Sequence, residues 1–389
     1  MTRGKKGDGP RLPERPEGCF AQMGTVPFFP RNEALQNAML PVDIVLAPAW
    51  WHRHEGIAFD ADFFYHPRQR VEVERRMEQA LYERWGRFGL GADRDRDLPA
   101  VGAVHLAAGY LVSEMLGCRV EYLADAPPRV VPANLDALRI VPETAFASPA
   151  FKRFENLVEA LKTTHGGACG DVNFSGVLNV ALDLRGQAFL MDMLDAPQAA
   201  AEFAANVAAV IERFTQYVTG LSGSTSIGVN RNVRHIQRPV FLHSECSHTM
   251  ISVADYERLL MPLDAAWSRQ FRPFGIHYCG TDPHRYAAAF AKLPHLDFLD
   301  VGWPGDVAEL RRHLPGTFLN IRYSPVEIVR QTPAEIRAHV RRLVEASGNP
   351  WLTGVCCINM DEQVRDEQIA ALFEEVETLR AEYASSATQ

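Results

Sequence analysis

The chain has 389 residues, 47% of them apolar and 23% charged, a soluble globular profile with room for two ordinary domains or one large α/β barrel. A net charge of −8 argues against a nucleic-acid partner, because phosphate contacts need a basic face. The most apolar stretches, "MLPVDIVLAPAWW" and "AAAEFAANVAAVI", are too short to span a bilayer and are broken by Asp, Pro or Asn, so no membrane association is expected. Seven cysteines form an odd, sparse set, unlike a disulfide framework. They predict a reducing cytoplasm, where a cysteine with a role is a ligand or a nucleophile.

In chain order, residues 1–18 ("MTRGKKGDGPRLPERPEG") are charged and Pro/Gly-rich with no apolar core. They read as a disordered leader, not a signal peptide, and 19–389 reads as one domain. "VDIVLAP" predicts a first strand. "AWWHRHE" (49–55) reads as a packed loop, with an aromatic lid over a substrate as the alternative. "RQRVEVERRMEQALYERWG" (68–86) has helical periodicity and reads as an N-terminal elaboration. Strands are expected near "AVGAVHLA" and "DVNFSGVLNV". The glycine-rich "THGGACGDVNFSG" (164–176) matches neither phosphate-loop nor dinucleotide patterns, so it reads as a flexible wall of a site mouth. An Ala-rich helix over 198–210 and a loop at "SGSTSIGV" (222–229) follow.

From residue 238 the signals alternate. Strands are predicted at "RPVFLHS", "FGIHYC", "LDFLDVGW", "TFLNIRY" and "PWLTGVCCI". Between them lie helical segments at 252–271, "HRYAAAFAKL", "DVAELRRHL" and "TPAEIRAHVRRLVEA", the last with Thr332 as cap and Pro333 at the first helical position. "DEQIAALFEEVETLRAEY" closes the chain as an amphipathic helix. Strands separated by single helices imply parallel pairing and right-handed crossovers. With the N-terminal strands the pattern predicts an α/β fold, a (β/α)8 TIM barrel with an N-terminal helical elaboration, with a doubly wound open sheet as runner-up.

In parallel α/β proteins the chemistry gathers at the C-terminal edge of the strands. Successive strands here end in His243, Glu245 and Cys246, then His277 and Cys279, then Asp300, then Asn320, then Cys356 and Cys357. His277 and Cys279 are two apart on a strand and leave by one face. An isolated His-x-Cys is a chance-level pattern, and buried cysteines are usually inert. The cysteines on the last strand, which lies beside the first in a closed barrel, raise it to a zinc site with His277, Cys279 and a third cysteine. Three protein ligands leave zinc a position for substrate, and two thiolates with a neutral imidazole make a neutral site that can activate a thiol. Arg31, His52, Tyr65 and His105 are further pocket candidates with no pattern to rank them.

The stretch "ISVADYERLLMPLDAAWSRQFRPFGIHYCG", with "LNIRYSP" and "GVCCI", resembles the uroporphyrinogen decarboxylase superfamily from about Ala145 to the end. The closer likeness is to its zinc methyltransferases that act with corrinoid proteins, which carry His-x-Cys on one strand and a distant Cys on the last. Leu319 replaces a glycine of their pattern. The resemblance implies zinc on His277, Cys279 and Cys356, with Cys357 as the alternative, and Glu245 or Asp300 as an exchangeable ligand or catalytic acid. An acid on the next strand is also a ligand in cobalamin-independent methionine synthase, whose order is similar and whose slot Asp300 would fill. Asn320, Tyr323 and His243 would shape the substrate pocket. The implied activity is methyl transfer between a corrinoid (cobalamin), carried by a partner protein, and a small-molecule thiol or pterin. A demethylase feeding the corrinoid protein, and a decarboxylase-like carboxy-lyase, are the alternatives. The Arg-Gln-Ala-Gly-Arg type signature of the decarboxylase is missing, which disfavours a tetrapyrrole substrate.

Overall fold

The computed structural model of the chain describes residues 39–92, 94–95, 109–168, 175–222 and 240–386. The expected leader at 1–18, the strand at "AVGAVHLA", the loop after Ser222 and the candidates Arg31 and His105 lie outside these residues. Among the described residues, six strands form one curled parallel sheet in the order β1-β8-β7-β6-β5-β4. These are β1 (Val42–Leu46), β4 (Phe241–Ser244), β5 (Phe274–Tyr278), β6 (Phe298–Val301), β7 (Phe318–Arg322) and β8 (Thr353–Met360). A separate antiparallel hairpin pairs β2 (Arg119–Glu121) with β3 (Arg129–Val131). The sheet is a half-barrel consistent with a TIM-like barrel and contains all five strands expected after residue 238, but among the described residues it has six strands and not the eight of the expected closed barrel.

Both faces of these strands are buried, as their near-continuous apolar runs require. Ile276, Leu299, Leu319, Ile321, Val355 and Cys357 belong to the main core, which the helices cover. The other face carries a smaller cluster of its own: Val45, Val240, Leu242, Phe298, Phe318 and Ile358. On this inner face Phe298 and Phe318 stack with ring centroids 5.7 Å apart. Glycine makes room for them. A Cβ on Gly354 would meet the Phe318 ring at 3.2 Å, and one on Gly275 would meet Leu242 at 2.9 Å.

The register then places polar residues above the apolar ones in two adjoining rows. Ser244 pairs with His277, His277 with Asp300 and Asp300 with Asn320. Arg322 pairs with Cys356, and Cys356 with Asp43 of β1. Side chains alternate with a period of two, so a one-residue slip would turn these rows toward the helices.

The helices depart from expectation in three places. "AWWHRHE" is a helix (Pro48–Glu55) and not a loop: Pro48 opens it, and Trp50 and Trp51 are buried. Trp50 packs on Trp85 of the Pro67–Trp85 helix, the expected elaboration. The segment expected as a strand at "DVNFSGVLNV" contains the helix Val177–Arg185, while 171–174 lie outside the described residues. The single helix expected over 252–271 is two, Val253–Leu259 and Met261–Gln270, because Pro262 can only sit in the first turn of a helix. The helix at Pro333–Ser347 forms as expected, with Thr332 and Glu335 completing a capping box.

Asp183, on the Val177–Arg185 helix, accepts a hydrogen bond of 2.6 Å from Ser113. Burial pushes its carboxyl up to about 6, against that hydrogen bond and with help from Glu245. The folded chain therefore binds this proton more tightly than the unfolded one. The resulting stability is complete below about pH 4 and is lost as pH rises through about 6. Asp183→Asn removes that loss. Urea melts at pH 4 and pH 7 should show the variant gaining roughly 1–3 kcal/mol on wild type between the two.

Candidate metal centre

The strand ends of β4 and β5 bring together Cys246, His277 and Cys279, whose ligand atoms all lie within 4.8 Å of one another. His277 is buried, Cys279 half-buried and Cys246 exposed, so the group opens from the inner face toward the surface. His277 comes from β5 and Cys279 from the residue just past it. Cys246 comes from the turn that follows β4.

Asp300, the register partner of His277, bonds the imidazole Nδ1 through Oδ2 in a short contact. With Nδ1–H donating to the carboxylate, Nε2 is the nitrogen left for a metal, the carboxylate–histidine arrangement that orients metal-binding imidazoles. Burial opposes charge on His277, but Asp300 outweighs it and draws the ring up to about 9. A metal at Nε2 therefore displaces a proton. Burial would likewise raise Asp300, yet His277 and then Arg322 hold its carboxyl below the usual carboxylate range. The two sulfurs are hydrogen-bonded to each other. The hydrogen bond from Cys246, opposed by burial and joined by His277 and Arg322, brings the Cys279 thiol down to about 4. The same bond raises Cys246. A thiolate, a second thiol beside it and a fixed imidazole make a donor set that suits zinc.

Arg322 is a feature that the sequence reading passed over. Its Nη2 lies 3.3 Å from Asp300 Oδ2 and 3.4 Å from His277 Nδ1, so the guanidinium rests against the imidazole ring. It is buried, and its Nε has no hydrogen-bond partner. Cys246 was expected at a strand end but not as a metal ligand. In both cases the readable signal was position: Cys246 follows a strand end, and Arg322 is two residues beyond Asn320 on the same face.

The other expected site residues divide by face. Asn320 is inside and donates to Asp300 Oδ1 at 3.3 Å. Cys356 is also inside, 3.8 Å from Asp300 Oδ1, and burial holds its thiol well above the ordinary value. Cys356 is not in the group of three, and Cys357 lies in the main core on the opposite face. Tyr323 faces the helices, against Trp303 and His339, with its hydroxyl on Gln331. His243 faces the helices as well. Its Nδ1 is 2.7 Å from Asp264 Oδ1, and its Nε2 accepts from the Val177 backbone N–H at 3.1 Å. Neither His243 nor Tyr323 therefore reaches a substrate on the inner face. Of the remaining pocket candidates, His52 bonds the Ile57 carbonyl, and Tyr65 bonds the hydroxyls of Tyr110 and Tyr122.

Glu245 has a structural duty. Its Oε2 accepts from Leu178 N–H at 2.7 Å and its Oε1 from Ser247 N–H at 3.2 Å. The Val177–Arg185 helix has no side-chain cap of its own, so Glu245 and His243 satisfy its first N–H groups from across the fold. A Cβ on Gly176 would stand 2.5 Å from Glu245 Oε2, which is why glycine precedes the helix.

Comparison with protein-family profiles gives no match, and comparison with curated proteins gives none either. Among solved structures, the chain is similar to a methyltransferase from Methanosarcina mazei, with a TM-score of 0.62 at 12% identity, covering 89% of this chain and 96% of that one. The two share a fold. A B12-independent methionine synthase from Shewanella sp. W3-18-1 aligns less well, with a TM-score of 0.48 at 10% identity over 88% of this chain and 98% of that one. No helix among the described residues is long and apolar enough to cross a membrane.

Glu245→Ala should cost about 2 kcal/mol in urea unfolding, because two backbone donors lose their acceptor. Glu245→Gln keeps one acceptor but sets its amide NH2 against the other backbone N–H, so it should also lose stability. A Glu245→Ala variant as stable as wild type would show that the carboxylate does not act as the cap.

Proposed function

We propose that the chain is a zinc-dependent methyltransferase that moves a methyl group between a corrinoid, held by a separate protein, and a thiol or pterin acceptor. The observation that carries this reading is the Cys246, His277 and Cys279 group, open toward the surface, with Asp300 fixing the imidazole from behind. The fold shared with a methyltransferase supports it. Zinc, when bound, supplies the positive charge that lowers a substrate thiol's pKa so that its thiolate is available at neutral pH.

The chain's own residues do the rest. Two thiolates and a neutral imidazole cancel the charge of a divalent ion, which leaves no net charge to repel a thiolate. Asp300 selects the His277 tautomer and neutralises Arg322. Asn320 steadies Asp300 from the neighbouring strand. Arg322 places a guanidinium beside the group, which favours an anionic reactant there. The apolar layer of Val45, Leu242, Phe298, Phe318 and Ile358 closes the inner face on its apolar side and excludes water from the imidazole–carboxylate pair.

The test combines metal analysis with the disappearance of methylcobalamin absorbance in the presence of a small thiol. Zinc-loaded protein should demethylate the corrinoid, and the chelated protein should not. His277→Ala should lose both metal and turnover. Asp300→Asn should weaken zinc about 10–100-fold in chelator competition, the usual effect of losing a ligand's outer partner. A chain that purifies metal-free and takes up no zinc would overturn the reading. Chelator-insensitive release of carbon dioxide from a small carboxylate would favour the carboxy-lyase instead.

A further inference from the structure

We infer that the third metal ligand is Cys246, not a cysteine of the last strand, so that the metal lies at the mouth between the ends of β4 and β5. This rests on the proposed function and refines it by assigning the ligand set. The sulfurs of Cys246 and Cys279 and a His277 nitrogen already stand within 4.8 Å of one another, the spacing from which a small closure completes coordination. The turn that carries Cys246 is built to hold it. Ser247 donates to Asn179 Oδ1 from both its N–H, at 2.9 Å, and its hydroxyl, at 2.5 Å. His248, with no hydrogen-bond partner on either ring nitrogen, is wedged between Tyr256, Tyr278 and Tyr286. Its carbonyl accepts from the Tyr286 hydroxyl at 2.7 Å and from Arg285 at 2.9 Å.

Cys356 is held apart by the same chemistry. Its sulfur turns to Asp300, and its register partner is Arg322, whose guanidinium lies against the His277 ring. The consequence is accessibility. The Cys246 residue is exposed whereas Cys356 is fully buried, so a metal held by Cys246 would sit nearer the surface than one held by Cys356. A methyl carrier too large to enter the inner face can reach it there.

The test uses the full chain, stripped of metal and reloaded with cobalt(II), which reports thiolate ligands through charge-transfer absorption, alongside zinc affinity from chelator competition. Cys246→Ser should lose part of the charge-transfer band and weaken zinc by more than the roughly 10–100-fold that an outer partner costs. Cys356→Ser, which keeps a donor to Asp300, should leave the charge-transfer band as in wild type and weaken zinc far less than Cys246→Ser does. Cys246→His, which restores a ligand but not a thiolate, should recover affinity without recovering the band, and it guards against a mere folding defect in the serine variant. Sensitivity of Cys356→Ser with indifference of Cys246→Ser would overturn the inference and leave the proposed function standing. Equal sensitivity of the two would also overturn it, since it means a closed site of four ligands. Failure of the wild-type chain to bind either metal would overturn both this inference and the proposed function.

Discussion

The buried carboxylate of Asp300 is the constraint on which the inner face depends. It is fully buried, and it takes the His277 imidazole, the Arg322 guanidinium, the Asn320 amide and the Cys356 thiol around its two oxygens. An uncompensated charge at such a position would be prohibitive, so the ring of donors is a condition of folding as well as of chemistry. Four strands contribute to that ring, and the parallel register sets its members side by side. Loss of any one donor exposes the others to the same unpaired charge, which makes the group cooperative.

A second, independent buried network sits on the other side of β4. His243, Glu245, Asp264 and Tyr256 bind one another and the start of the Val177–Arg185 helix. The end of β4 thus faces two ways. His243 and Glu245 fasten the helix layer, while the residue that follows them, Cys246, opens onto the candidate metal centre. Rigid anchoring just before a ligand is what a pre-organised site needs, because the donor atom then loses little freedom on binding.

The strands after residue 238 were legible because each is a short apolar run between turn and cap signals, such as Thr332 with Glu335. The His277 and Cys279 pair was legible for the simpler reason that a period of two puts both on one face. "AWWHRHE" reads as a packed loop because its mix of tryptophans, histidines and an acid shows no clean periodicity. Pro48 at a helix start was the stronger signal, and burial of Trp50 and Trp51, with Trp50 packed on Trp85, decided the matter. "SGVLNV" misled because its β-branched residues favour a strand, while the acceptors that cap the helix come from residues 66 and 67 positions away.

The sequence by itself determined the alternation of strands and helices, the edge where polar residues gather, and the presence of a histidine–cysteine pair there, since all three follow from local periodicity. Tertiary structure alone decided which of the surrounding groups join that pair. Cys356 and Cys357 are adjacent in the chain yet lie on opposite faces of β8, one by Asp300 and the other in the main core. His243 and Tyr323 end strands as expected but point at helices. Cys246 is 31 and 33 residues from its partners and meets them only because β4 and β5 pair in parallel. Register and strand curvature are properties of the whole sheet, and no local window of residues contains them.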